Sequence, residues 1–139
     1  MKILLPVDGS THAERATQHV IAMLNGCSNP QIFLINVQES IDAPEIRSHM
    51  PASEIEAMQE SRGGDALAPA RALLEKAGIA CVPSVLIGPI AETIAQFAVD
   101  QGCDQIVMGT RGLGAVGSLL GSITTRLLHL TELPVTLVK

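Results

Sequence analysis

Between Gly109 and Ser122 five glycines fall within fourteen residues, Gly-Thr-Arg-Gly-Leu-Gly-Ala-Val-Gly-Ser-Leu-Leu-Gly-Ser, directly after the apolar run Asp104-Gln-Ile-Val-Met108. Glycine spacing of this kind lets a backbone turn through φ > 0 conformations and approach a bound group without a Cβ in the way. Ser122 stands where a helix should begin, because Ile123, Leu127, Leu128 and Leu130 recur at roughly helical spacing and Ser is a favoured N-cap. A strand, a glycine-rich loop and a helix N-terminus together aim unpaired N–H groups and the positive end of a helix dipole at one point, which suits a phosphate. The same letters also suit a plain strand-to-helix turn. A Walker A loop is excluded, since no lysine lies between Met108 and Lys139. Gly112, Gly114 and Gly117 match the spacing of a dinucleotide fingerprint, but Pro134 to Lys139, about 20 positions past Gly117, include no Asp or Glu to hold a ribose.

Two charged side chains accompany this loop. Arg111 lies inside it, either as a phosphate partner or as a surface charge. Asp8 ends the opening apolar run Lys2 to Val7, and reads either as a ligand-binding acid at the carboxyl end of a strand or as a turn residue. His12, His19, His49 and His129 are dispersed, and none has a sequence neighbour that would make it a general base, so no catalytic residue and no metal site is assigned.

The elements that must position these groups follow from periodicity. Strands are expected at Lys2 to Val7, Gln31 to Val37, Ile79 to Ile87, Asp104 to Met108 and Pro134 to Val138. Helices are expected after the Ser10 cap, from Ser53 to Gly78, from Pro89 as the first helical residue, and from Ser122. Gln38 to Pro51 lacks periodicity and reads as a mobile loop. Gly63-Gly64 and Pro69 predict a break around residues 62 to 69. Strands alternating with helices require a parallel sheet with right-handed crossovers, hence a doubly wound α/β sandwich in one domain spanning residues 1 to 139. Pro83 places the third strand at an edge, and the order 3-2-1-4-5 then sets Asp8 and Gly109 across one crevice.

Nine Lys and Arg against fourteen Asp and Glu give a net charge near −5, with no basic patch for nucleic acid or an anionic membrane. Cys27, Cys81 and Cys103 are odd in number and widely spaced, which fits reduced packing thiols in the cytoplasm. Phe33 and Phe97 are the only aromatics, a poor supply for a flavin carrier of the same architecture.

Placed on these elements, the sequence resembles the universal stress protein family over essentially its whole length. The resemblance rests on Ile3-Leu-Leu-Pro-Val-Asp8-Gly-Ser, Gly88-Pro89-Ile-Ala-Glu-Thr-Ile94, Asp104 to Gly112, Gly121-Ser122 and Leu133-Pro-Val-Thr-Leu-Val138. Members that bind ATP show Gly-x2-Gly, nine residues, then Gly-[Ser/Thr]. The resemblance implies that Pro6, Val7, Asp8 and Val37 surround the adenosine, while Met108, Gly109, Gly112, Gly121, Ser122 and Ile123 line the ribose and phosphate path, with Mg²⁺ near the phosphates. It implies a regulatory homodimer with at most slow ATP hydrolysis, joined through Pro134 to Val138 and acting on a protein partner. A family member that binds no nucleotide is the alternative. One departure stands out: Leu113 to Leu120 is eight residues. The tighter segment either still admits ATP or favours AMP or ADP.

Overall fold

The computed structural model describes residues 1–112 and 120–139. In chain order it contains β1 (Lys2–Pro6), α1 (Thr11–Met23), β2 (Gln31–Gln38), α2 (Pro44–His49), α3 (Ala52–Lys76), β3 (Cys81–Ile87), α4 (Ile90–Asp100), β4 (Gln105–Gly109), α5 (Ser122–Leu130) and β5 (Val135–Val138). The five strands form one parallel sheet in the order β3-β2-β1-β4-β5, as expected. The central strands are apolar on both faces because both faces are covered. On one side Ile3, Leu5, Ile32, Leu34 and Val107 pack against α1 and α3 through Ala16, Val20, Leu67, Ala70 and Leu74. On the other, Leu4, Ile35, Val37, Ile106 and Met108 pack against α4 and α5 through Ile94, Ala98 and Leu127.

Ser10 caps α1 as its type suggests, its hydroxyl accepting from the Ala13 N–H at 3.2 Å. Gly9 before it has φ +82°, and a Cβ there would lie 3.5 Å from the Ala66 Cα on α3, so this turn is both left-handed and pressed against a helix. Pro83 does lie on an edge strand.

Several expectations are corrected. The segment expected as a mobile loop, Gln38 to Pro51, contains the short helix α2, started by Pro44 at its first turn. The break expected around residues 62 to 69 is not there: α3 runs unbroken through Pro69 for 25 residues. Gln59, Gly63, Leu67, Ala70 and Leu74 form a buried stripe at helical spacing on both sides of the proline, and this packing holds the two halves in line. Asp65, whose carbonyl loses its donor four residues on, is exposed, so water can replace the bond. Gly63 is where α3 meets the edge strand, and any Cβ there would overlap the Val85 side chain. Pro89 stands at the N-cap of α4 instead of its first helical position. Of the three cysteines expected to pack inside, Cys103 is buried and Cys81 half-buried, but Cys27 follows the end of α1 and is exposed.

Candidate functional site

The order of the sheet decides where a cleft can open. Chains leaving β1 and β4 turn to opposite faces of the sheet, and the gap between their carboxyl ends is the switch point. A cleft of about 370 Å³ occupies it. β1 and its continuation contribute Pro6, Val7 and Asp8, β2 contributes Val37, and β4 contributes Met108 and Gly109. Arg111 and Gly112 follow β4, and Gly121, Ser122 and Ile123 bring in the start of α5. The structure thus brings Arg111 and the residues that the resemblance set around adenosine, ribose and phosphate to one cleft. Residues 113–119, which carry most of the eight-residue spacer, lie outside the described residues.

Ile90 and Ile94 of α4 supply an apolar wall that sequence reasoning missed, and Ser10, Ala13, Asn36 and Thr124 line the cleft as well. The signal for Asn36 was present, since it is the one polar residue inside the apolar run Ile32 to Val37. Nothing in the sequence marked the α4 isoleucines, whose spacing reports only that they face the sheet.

At the β1 end, one carboxylate oxygen of Asp8 accepts from the Ser10 N–H at 2.9 Å. Its other oxygen lies where a Cβ on residue 112 would be, so any side chain larger than glycine at that point would have to push the Asp8 carboxylate aside. A Cβ on Gly109 would come within 2.7 Å of the His12 Cβ, so the end of β4 runs against the first turn of α1.

The start of α5 corrects one reading. Its N-cap is Gly121, and Ser122 is its first helical residue. Gly121 has no side chain to cap with, and its own N–H donates to the Thr110 carbonyl at 2.8 Å. The first intrahelical bond runs from the Thr125 N–H to the Gly121 carbonyl at 3.0 Å, which leaves the N–H groups of Ser122, Ile123 and Thr124 without an intrahelical acceptor. These three residues line the cleft, whereas the N-terminus of α1 is capped by Ser10. Among the described lining residues only Asp8 and Arg111 carry charge, so one carboxylate and one cation sit in a largely apolar cavity beside a helix N-terminus that its N-cap, Gly121, has no side chain to cap.

Around the cleft, Glu92 in the first turn of α4 pairs with Arg126 of α5. The Glu92 carboxyl is held below the usual carboxylate range, first by its own backbone N–H and then by the Arg126 guanidinium. No group of three His, Cys, Asp or Glu able to hold a metal occurs among the described residues. Phe33 and Phe97 pack edge-to-face with ring centroids 5.9 Å apart, and neither lines the cleft, so no described aromatic is placed to stack a flavin.

Comparison with known proteins fits this geometry. The universal stress protein family model matches residues 1–139. The chain belongs to the universal stress protein family. A universal stress protein of Thermus aquaticus is 35% identical over 139 residues, covering 99% of this chain and 97% of the relative. Among solved structures, the hypothetical protein MJ0577 superposes with a TM-score of 0.83 at 29% identity, covering 99% of this chain and 94% of its own. A universal stress protein of Arabidopsis thaliana with AMP bound superposes with a TM-score of 0.71 at 22% identity, covering 100% of this chain and 91% of that one. Among the described residues, no helix is long and apolar enough to cross a membrane.

Proposed function

We propose that this universal stress protein binds an adenine nucleotide, ATP in the first instance, in the switch-point cleft, and acts in the cytoplasm as a nucleotide-responsive regulatory homodimer. The observation that carries the reading is the arrangement at one cleft of the α5 N-terminus, whose N-cap Gly121 has no side chain, with Arg111 and the Asp8 carboxylate. The first two complement phosphate, and the third complements hydroxyl or amine donors of a nucleoside. The apolar wall from Val37, Ile90, Ile94 and Met108 suits a purine face. AMP in the Arabidopsis relative supports the same ligand class. The hard oxygens that the described lining offers a cation are chiefly the Asp8 carboxylate and the Ser122 hydroxyl, which fits a Mg²⁺ that arrives on phosphate oxygens and keeps several waters.

The described lining contains no histidine to act as a general base, so the reading assigns binding, with slow hydrolysis as the upper bound. A second reading, a family member working through a protein partner alone, is favoured by one observation: the eight-residue spacer from Leu113 to Leu120. Removing one residue from an extended span shortens its reach by about 3.3 to 3.6 Å, which either crowds a γ-phosphate or is absorbed by the glycines.

Mass spectrometry of small molecules released from freshly purified, denatured protein tests the choice. Near-stoichiometric AMP, ADP or ATP supports the nucleotide reading. No released nucleotide, together with no binding of AMP, ADP or ATP by calorimetry, replaces it with the protein-contact reading. Comparing the three affinities in the native chain and in a variant with one leucine inserted after Leu120 separates the effect of the spacer from that of the rest of the cleft.

A further inference from the structure

Asn36 lies on the α1/α3 side of β2, the side on which Ile32 and Leu34 are core. It is 5% exposed, so its carboxamide is tolerated there only through the bonds it makes. Its Nδ2 donates to the Val7 carbonyl at 2.8 Å. A carbonyl can only accept, so the nitrogen must face Val7 and the Oδ1 must face away. That Oδ1 accepts from Gln38 Nε2 at 3.1 Å, and the same Nε2 also donates to the Gln59 carbonyl on α3 at 3.1 Å. Gln59, itself 5% exposed, sends its Nε2 to the Glu39 carbonyl at 3.1 Å. A chain of side-chain amides therefore runs from the wall of the cleft to α3.

The link to Val7 matters because of what Val7 carries. Its N–H donates to the Ile35 carbonyl at 2.8 Å, and its carbonyl is held by Asn36, so the two successive peptide planes on either side of Val7 are both fixed to β2. The next residue is Asp8, whose carboxylate stands in the cleft beside Gly112. We propose that Asn36 is a positioning residue for nucleotide binding: by holding the Val7 carbonyl it sets the direction in which Asp8 leaves β1, and the Gln38–Gln59 amides hold Asn36 in that orientation. The inference rests on the adenine-nucleotide reading of the cleft. Buried amide networks of this kind act as units, because each member orients the next.

The test compares AMP binding by calorimetry in the native protein, Asn36→Asp and Asn36→Leu, at about pH 8 and about pH 5.5, each variant referred to the native protein at the same pH. At the higher pH both variants are expected to bind AMP about tenfold more weakly, the loss of one buried hydrogen bond. At the lower pH the carboxyl of N36D, its pKa raised by burial, takes up a proton and can again donate to the Val7 carbonyl, so its affinity returns to within about twofold of native. N36L has no donor at either pH and stays weak. A merely structural role would move both variants together. Native-like AMP affinity of N36D at the higher pH, or equal recovery of N36D and N36L on acidification, overturns the proposal. Absence of AMP binding by the native protein overturns the nucleotide reading itself. Amide exchange in the ligand-free protein supplies an arm independent of nucleotide. In Gln38→Leu, which keeps the bond to Val7 but frees its orientation, the Ser10 N–H held by Asp8 is expected to exchange about threefold faster at fixed pH. Unchanged exchange there overturns the relay from Gln38.

Discussion

Asp8 meets the cleft with one oxygen held by the Ser10 N–H and the other beside Gly112, so its carboxylate is already oriented before any ligand arrives. If it accepts hydrogen bonds from a ribose or an adenine amine, Asp8→Ala should weaken adenine-nucleotide binding by about 1.5 to 3 kcal/mol, the range for a bond to a charged group. Calorimetry with AMP and ATP reads this, and equal affinities would leave Asp8 a turn residue. The three cysteines also separate at this scale. Burial raises the Cys103 thiol above its ordinary value, with Lys2 opposing, and burial raises Cys81 with Arg71 opposing. Cys27 is exposed. Thiolate is the reactive form, so iodoacetamide at mildly alkaline pH should modify Cys27 well before Cys81 and Cys103, as peptide mapping by mass spectrometry would show. Faster modification of Cys103 would mean that the core beneath β4 opens readily.

Among the elements, α3 shows how packing overrides local preference. Pro69 removes one backbone bond from a helix that is anchored on both sides by buried residues. Pro69→Ala should therefore stabilise the protein, by about 1 to 3 kcal/mol in denaturant unfolding, as the missing bond is restored and the ring clash relieved. No gain would show that proline's restriction of the unfolded chain already offsets its cost. The α4–α5 contact carries a pH dependence. Glu92 has a folded pKa below its unfolded value, so the stability it contributes is present above the unfolded carboxylate pKa and is lost as pH falls through the folded one. The stability difference between the native protein and Glu92→Gln should persist at neutral pH and vanish in acid, and a difference that grew on acidification would contradict the pairing with Arg126. The sequence made some of these elements legible and not others. Continuous apolar runs marked the strands, and a proline marked an edge, because those signals come from burial and from a missing donor. Helix α2 has no buried residue, so it left no apolar period to read. The cap of α5 fell to Gly121 because the side-chain preference of Ser122 did not decide where the backbone turned. In the cleft, residues set by glycine and by strand ends were visible, whereas Asn36 and the α4 isoleucines depend on contacts between distant elements.

At the scale of the whole molecule, the two edges of the sheet differ. β3 closes one edge with Pro83, a residue that cannot donate to a neighbouring strand. β5 at the other edge pairs, among the described residues, only with β4 and carries the half-buried Val135, Thr136, Leu137 and Val138. Hydrogen bonds to β4 use alternate residues of β5: the Pro134 carbonyl accepts from the Ile106 N–H at 3.0 Å, and the Val138 carbonyl accepts from the Thr110 N–H at 2.9 Å. By that alternation the backbone groups of Val135 and Leu137 point away from the sheet, and an exposed edge of this kind is a template for pairing with a second copy. If the homodimer forms there, Val135→Pro should leave the fold intact, because the donor it removes belongs to the outer side, and should shift the protein from dimer to monomer. Light scattering together with far-ultraviolet circular dichroism distinguishes the outcomes. A folded monomer would place the interface on β5, and an unchanged dimer would place it elsewhere. Because β5 is bonded to β4, whose end at Met108 and Gly109 lines the cleft, a dimer through β5 would join the two clefts through one sheet. The monomeric variant should then be the protein in which nucleotide binding loses any cooperativity between copies.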